Sequence, residues 1–176
     1  MTRRHGRFLI WFAVLICWAA PAGSRAQVLE QTFSDTLAGF KISTPNQEWN
    51  LEPRGTDPGE WKLTLRFQYA LHQFTPNVTV KVIDSPGISG KTSDALDEAV
   101  AQLPKSWSVV EKKPITLRNA KGVELKLKET DTKLQFLQWF FHVKDKIFIV
   151  TCTAKEDSYP RVQDDFIKIL HSFEII

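Results

Sequence analysis

The sequence predicts an α+β domain, a mostly antiparallel sheet flanked by helices. Three observations carry that prediction. Successive segments alternate apolar and polar residues with a period of two and are joined by short turn-like stretches, so neighbouring strands pair antiparallel. Two further stretches, Thr92–Leu103 and Ser158–Phe173, space their apolar residues three and four apart, as a helix with one buried face does. Between them lies a hairpin, Leu134–Ala154, whose two strands are apolar on both faces, so its sheet is covered on both sides.

In chain order, Met1–Arg7 is basic, Phe8–Ala20 is an apolar run, and Ser24-Arg25-Ala26 offers a small-x-small cleavage pattern. Together these predict an export signal over residues 1–26 and a periplasmic or secreted protein. The run falls short of the ~20 apolar residues that span a bilayer, which makes an uncleaved anchor the weaker alternative. Residues 27–38 are polar and weakly patterned, a lead-in to a single domain over residues 39–176.

Within that domain, Gly39–Thr44 alternates and stops at Pro45, as a first strand would. Trp49 and Leu51 extend a short second one, and Arg54–Gly59 reads as a turn. Trp61, Leu63, Leu65, Phe67 and Tyr69 then share one strand face, and Val78, Val80 and Val82 repeat the pattern. Leu96, Val100 and Leu103 form the inner stripe of the first helix, with Asp94, Asp97 and Glu98 near its positive end and Pro104 ending it. Trp107–Val110 and Ile115–Leu117 read as separate short extended pieces. Gly122 opens a strand with Val123, Leu125 and Leu127 inward and Glu124, Lys126 and Lys128 on a solvated face, which places it near a sheet edge. The doubly apolar hairpin follows. Ser158 is the expected N-cap of the last helix, with Pro160 in its first turn and Val162, Phe166, Ile169, Leu170 and Phe173 as its buried stripe.

A content of 43% apolar residues, with twelve Phe and six Trp, supports an aromatic-rich core. The formal charge of +3 comes from the leader: Arg3, Arg4, Arg7 and Arg25 lie there, and 23 basic residues less these four leave 19 against 20 acidic ones. A near-neutral mature chain disfavours a nucleic-acid partner. Past Cys17 of the leader, Cys152 stands alone, so burial and not a disulfide must hold the fold. Its mid-strand position reads as a buried small hydrophobe.

No catalytic constellation is legible, and none of His72, His142 and His171 has metal-ligand spacing, so neither a metal nor a cofactor is expected. Asp164-Asp165 reads as a solvated helix face. Trp49, Trp61, Trp107 and Trp139 come from four segments; they are core residues or the rim of a ligand- or partner-binding surface.

Phe40-Lys41-Ile42-Ser43-Thr44-Pro45 followed by Trp49, together with Ile147–Ala154, Tyr159 and the helix ending Ile169-Leu170-His171-Ser172-Phe173, resembles the PsbP-like domains, including the DcrB-type periplasmic proteins. The likeness spans most of residues 39–176 and rests on packing motifs. It implies a PsbP-like α/β/α sandwich, an antiparallel sheet between helical layers, and a non-enzymatic accessory or binding role outside the membrane, with no catalytic motif to carry over. Two roles follow as expectations: an adaptor acting through protein–protein contact, or a carrier or sensor of a small apolar ligand held between sheet and helix. A pocket lined by several of those Trp residues favours the carrier; a filled core with an exposed apolar patch favours the adaptor.

Overall fold

A computed structural model of the chain describes residues 30–54, 61–86, 96–97, 100–101, 103–118 and 120–176. The leader, the turn after Arg54 and most of the first helix lie outside these residues. The strands are β1 (Thr32–Asp35), β2 (Phe40–Ser43), β3 (Trp49–Pro53), β4 (Trp61–Phe67), β5 (Asn77–Asp84), β6 (Trp107–Leu117), β7 (Ala120–Glu129), β8 (Leu134–Val143), β9 (Lys146–Lys155) and β10 (Glu174–Ile175). The C-terminal helix runs Tyr159–Ser172.

A seven-stranded sheet in the order β3-β4-β5-β9-β8-β7-β6 forms the body, and β1-β2-β10 make a small second sheet. Every pairing is antiparallel. The hairpin β8–β9 is central, as its two apolar faces require. On one face Leu137, Trp139, Phe141, Phe148, Val150 and Cys152 share a core with Val162, Phe166, Ile169 and Leu170 of the C-terminal helix. On the other, Val123, Leu125, Leu127, Phe136 and Phe140 are buried with Leu96, and Val100 and Leu103 pack against them. Leu96, Asp97, Val100 and Ala101 are helical, so both faces of the sheet carry helical cover.

Several local readings need correction. The lead-in contains β1, which pairs with β2 through a turn closed by Asp35: its carboxylate accepts the N–H groups of Leu37 (3.1 Å) and Ala38 (2.8 Å), and Gly39 turns at φ +87°. The two short pieces around Pro114 are one strand, β6. It lies at the sheet edge, where a proline's missing N–H is tolerated, and it kinks between Val109 and Glu111. Ser158 holds the N-cap position but makes no side-chain cap; its hydroxyl donates to the Lys155 carbonyl oxygen (3.2 Å).

Gly122 has a packing reason. A Cβ there would stand 2.4 Å from Cδ1 of Phe141, so the ring of the neighbouring strand occupies the space of the absent side chain. Asp165 is not on a solvated face. Its carboxylate accepts the indole N–H of Trp49 (3.0 Å) and the Asn46 amide (3.2 Å), and it tethers the helix to the β3 end of the sheet. The outward-turned Asp164 is exposed.

Candidate functional site

The four predicted tryptophans separate. Trp49 is fully buried, packed on Phe67 (5.3 Å between ring centroids) and Phe166 (5.6 Å), its N–H satisfied by Asp165. Trp139 is buried on the same face of the sheet, edge-on to His171 (5.6 Å). Trp61 and Trp107 come together on the opposite face, in one groove.

A bulge puts Trp61 there. Leu65 pairs with Val78 and Leu63 with Val80, but Trp61 pairs with Lys81, because the register slips between Trp61 and Leu63. One slipped residue moves a side chain to the other side of a sheet. Trp61 therefore leaves the buried row of Leu63, Leu65 and Phe67. It stands 44% exposed, with Lys81 Nζ 5.7 Å from its ring centroid. Tyr69, expected on the same inner row, lies beyond the end of β4 and is exposed.

The groove between Trp61 and Trp107 has a volume of about 320 Å³. Trp107 is fixed by stacking on Phe136 at 4.5 Å, and Leu127 adds to that apolar end. The floor is a run of neutral polar side chains from adjacent strands: Asn77 and Thr79 on β5, Thr151 and Thr153 on β9, Gln138 on β8. Gln138 donates to the Thr151 hydroxyl (2.9 Å), and the Asn77 amide donates to the Thr75 carbonyl oxygen (3.1 Å). Among the described residues the hydroxyls of Thr79 and Thr153 have no hydrogen-bond partner, and neither is sealed from water. Every described side chain lining the groove is neutral.

A second groove, of about 260 Å³, runs between the C-terminal helix and β7. Its centre is Glu124, placed on a solvated face by the sequence and in fact buried. One carboxylate oxygen accepts the Trp139 indole N–H (2.7 Å) and the other pairs with Lys113 (2.7 Å). That hydrogen bond raises the pKa of Lys113. Lys126, also in this groove, pairs with Glu111 at 2.5 Å and pulls that carboxyl below its usual range. Burial, then Cys152 and Glu124, push the Tyr159 hydroxyl well above the ordinary tyrosine range. The charges here neutralise one another.

A wider cleft of about 460 Å³ separates the β1–β2 turn from the β8–β9 turn. Lys146 bridges it, donating to the carbonyl oxygens of Leu37 (2.6 Å) and Ala38 (3.1 Å), so its cation is already used.

Cys152 is fully buried; burial, and then the Glu124 charge, raise its thiol pKa well above normal, which makes it inert as a nucleophile. Among the described residues the nearest approach to a nucleophile–base pair is Ser85 Oγ and His142 Nε2, 3.3 Å apart. Ser85 is buried and lines none of these three grooves, so a substrate carbonyl has no described path to it. Among the described residues no three His, Cys, Asp or Glu side chains converge as a metal site requires, and no helix is long and apolar enough to cross a membrane.

Sequence reading missed Glu124, Asp165 and the unpaired threonines. A signal for the last was present: Gln138, Thr151 and Thr153 are polar positions on one face of a hairpin that is otherwise apolar.

A family model described as PsbP-like protein matches residues 68–175, more than half of the chain. Among solved structures, the cyanobacterial PsbP (CyanoP) of Synechocystis sp. PCC 6803 is similar with a TM-score of 0.63 at 16% identity, over 90% of this chain and 99% of that one. LpqN of Mycobacterium tuberculosis, described as involved in cell envelope biogenesis, gives 0.58 at 15% identity over 85% and 91%. PA94 of Pseudomonas aeruginosa, described as a protein of unknown function and putative regulator, gives 0.57 at 13% over 81% and 94%. These likenesses show a shared fold. No curated protein matches the sequence.

Proposed function

The chain belongs to the PsbP-like protein family, and from that premise we propose that it is a non-catalytic, exported accessory protein that acts by binding, with the Trp61–Trp107 groove as its recognition site. Export is supported by the basic, apolar and small-x-small order of residues 1–26, and the mature domain is taken to follow from there. The observation that carries the site is the contrast in pairing. The groove beside the C-terminal helix closes its charges onto one another, whereas the Trp61–Trp107 groove leaves the Thr79 and Thr153 hydroxyls without a partner in the described fold and still within reach of water. Hydroxyls that the fold leaves unpaired and that water still reaches are free to exchange that water for the hydrogen bonds of a partner. Trp49 and Trp139 serve packing in this reading, and Trp61 and Trp107 serve binding.

A carrier for a small apolar ligand between sheet and helix is less well supported. The space there is lined by Lys113, Glu124 and Lys126, which an apolar ligand would strip of water.

The test is a photo-crosslinking side chain in place of Lys81, which stands against the Trp61 ring outside the groove lining, with the same group at the exposed Ile176 as control, in the protein exported by its own host. The expected result is an adduct specific to position 81, whether a protein or a small molecule. Identical adducts at both positions, or none at position 81, would contradict the reading.

A further inference from the structure

We infer that the Trp61–Trp107 groove takes a neutral saccharide; this rests on the groove being the recognition site and adds the ligand's chemical class. The argument starts from charge. The described lining side chains are Trp, Thr, Asn, Gln, Leu and Phe, and the nearest cation, Lys81, stands outside the lining against the Trp61 ring, so an ionic headgroup on the groove floor would lose water without gaining a charged partner there. A purely apolar ligand fails for the opposite reason. It would seal the hydroxyls of Thr79 and Thr153 from water with no acceptor or donor against them.

What remains is a neutral ligand with one apolar face and a rim of hydroxyls. A pyranose ring has both: its axial C–H groups carry slight positive charge and rest on the electron-rich face of an indole, while its equatorial hydroxyls point sideways. The groove supplies the matching halves. Trp61 is exposed enough to offer a ring face, and Trp107 is held in place by Phe136. Threonine hydroxyls can donate and accept, and the Gln138 amide oxygen accepts while its N–H₂ holds Thr151. The volume of about 320 Å³ is at the small end of ligand pockets, which suits a short saccharide or the end of a longer glycan.

The experiment follows the indole N–H signals of the mature protein by NMR during titration with maltotriose, cellotriose and chitotriose to millimolar concentration. N-phenyl-1-naphthylamine serves as the apolar probe. The expected result is a saturable shift of the Trp61 and Trp107 signals with at least one trisaccharide, no shift of Trp49, and loss of the response in Thr153→Val and in Trp61→Ala. Retention on insoluble chitin or cellulose separates recognition of a polymer from recognition of a free sugar; either is the same chemistry. No response to any trisaccharide or polymer overturns the inference, as does tighter binding of the naphthylamine or an unchanged response in Thr153→Val. A position-81 adduct in the crosslinking experiment alongside that failure would leave the groove as the site and remove only the saccharide. Failure of both removes the site.

Discussion

The two faces of the sheet differ in how completely they satisfy themselves. Under the C-terminal helix, the buried polar atoms are matched: Trp49 to Asp165, Trp139 to Glu124, and Glu124 to Lys113. Across the sheet, the Trp61–Trp107 groove keeps threonine hydroxyls without partners and leaves an indole standing out from the sheet. Both faces are rich in aromatic rings, so aromatic content does not distinguish a core from a site. Polar accounting does: a matched network fixes the fold, and an unmatched one is open to a ligand.

Breaking the matched face should have the largest effects. Phe166 is fully buried between Trp49 and Tyr159, and Phe166→Ala should cost about 3–5 kcal/mol, read as a urea midpoint shift at constant slope. Asp165→Ala leaves the buried Trp49 N–H without an acceptor and should cost about 1–3 kcal/mol, whereas the exposed Asp164→Ala should stay within about 0.5 kcal/mol. Equal shifts for the two aspartate variants would mean that the tether to Trp49 is not formed.

Alkaline pH probes the same face. The Tyr159 pKa is raised in the folded state, chiefly by burial, so the neutral hydroxyl is favoured there. Its contribution is complete below the unfolded tyrosine pKa of about 10 and falls above it, by up to about 1.4 kcal/mol per pH unit. Cys152 acts in the same direction. Tyr159→Phe should therefore flatten the loss of stability above about pH 10, seen in urea midpoints across that range; an unchanged slope would mean that Tyr159 reaches water.

Much of the fold was legible because period and burial agree. The doubly apolar hairpin announced a central position with cover on both sides, and the stripe Val162–Phe166–Ile169–Leu170 is the buried side of the helix. The site was not legible in the same way. Alternation placed Trp61 with Leu63 and Leu65, and only the slipped register against β5, which no residue type signals, turns it to the other face. Glu124 looked solvated because a strand near the edge is often bare on one side. Its burial depends on a tryptophan and a lysine from neighbouring strands. Asp165 was misread because a carboxylate beside a hydrophobic stripe is usually exposed, and the indole that needs it lies 116 residues away.

The most direct test of the contrast is to remove one polar group from each face and compare urea unfolding. Glu124→Leu should cost about 1–3 kcal/mol, since it strands the buried Trp139 N–H. Thr153→Val keeps the shape and removes a hydroxyl that has no partner, so it should change stability by less than about 0.5 kcal/mol, or raise it slightly. A Thr153→Val cost as large as that of Glu124→Leu would show that the hydroxyl is held by the fold, and the groove would then be as closed as the face beneath the helix.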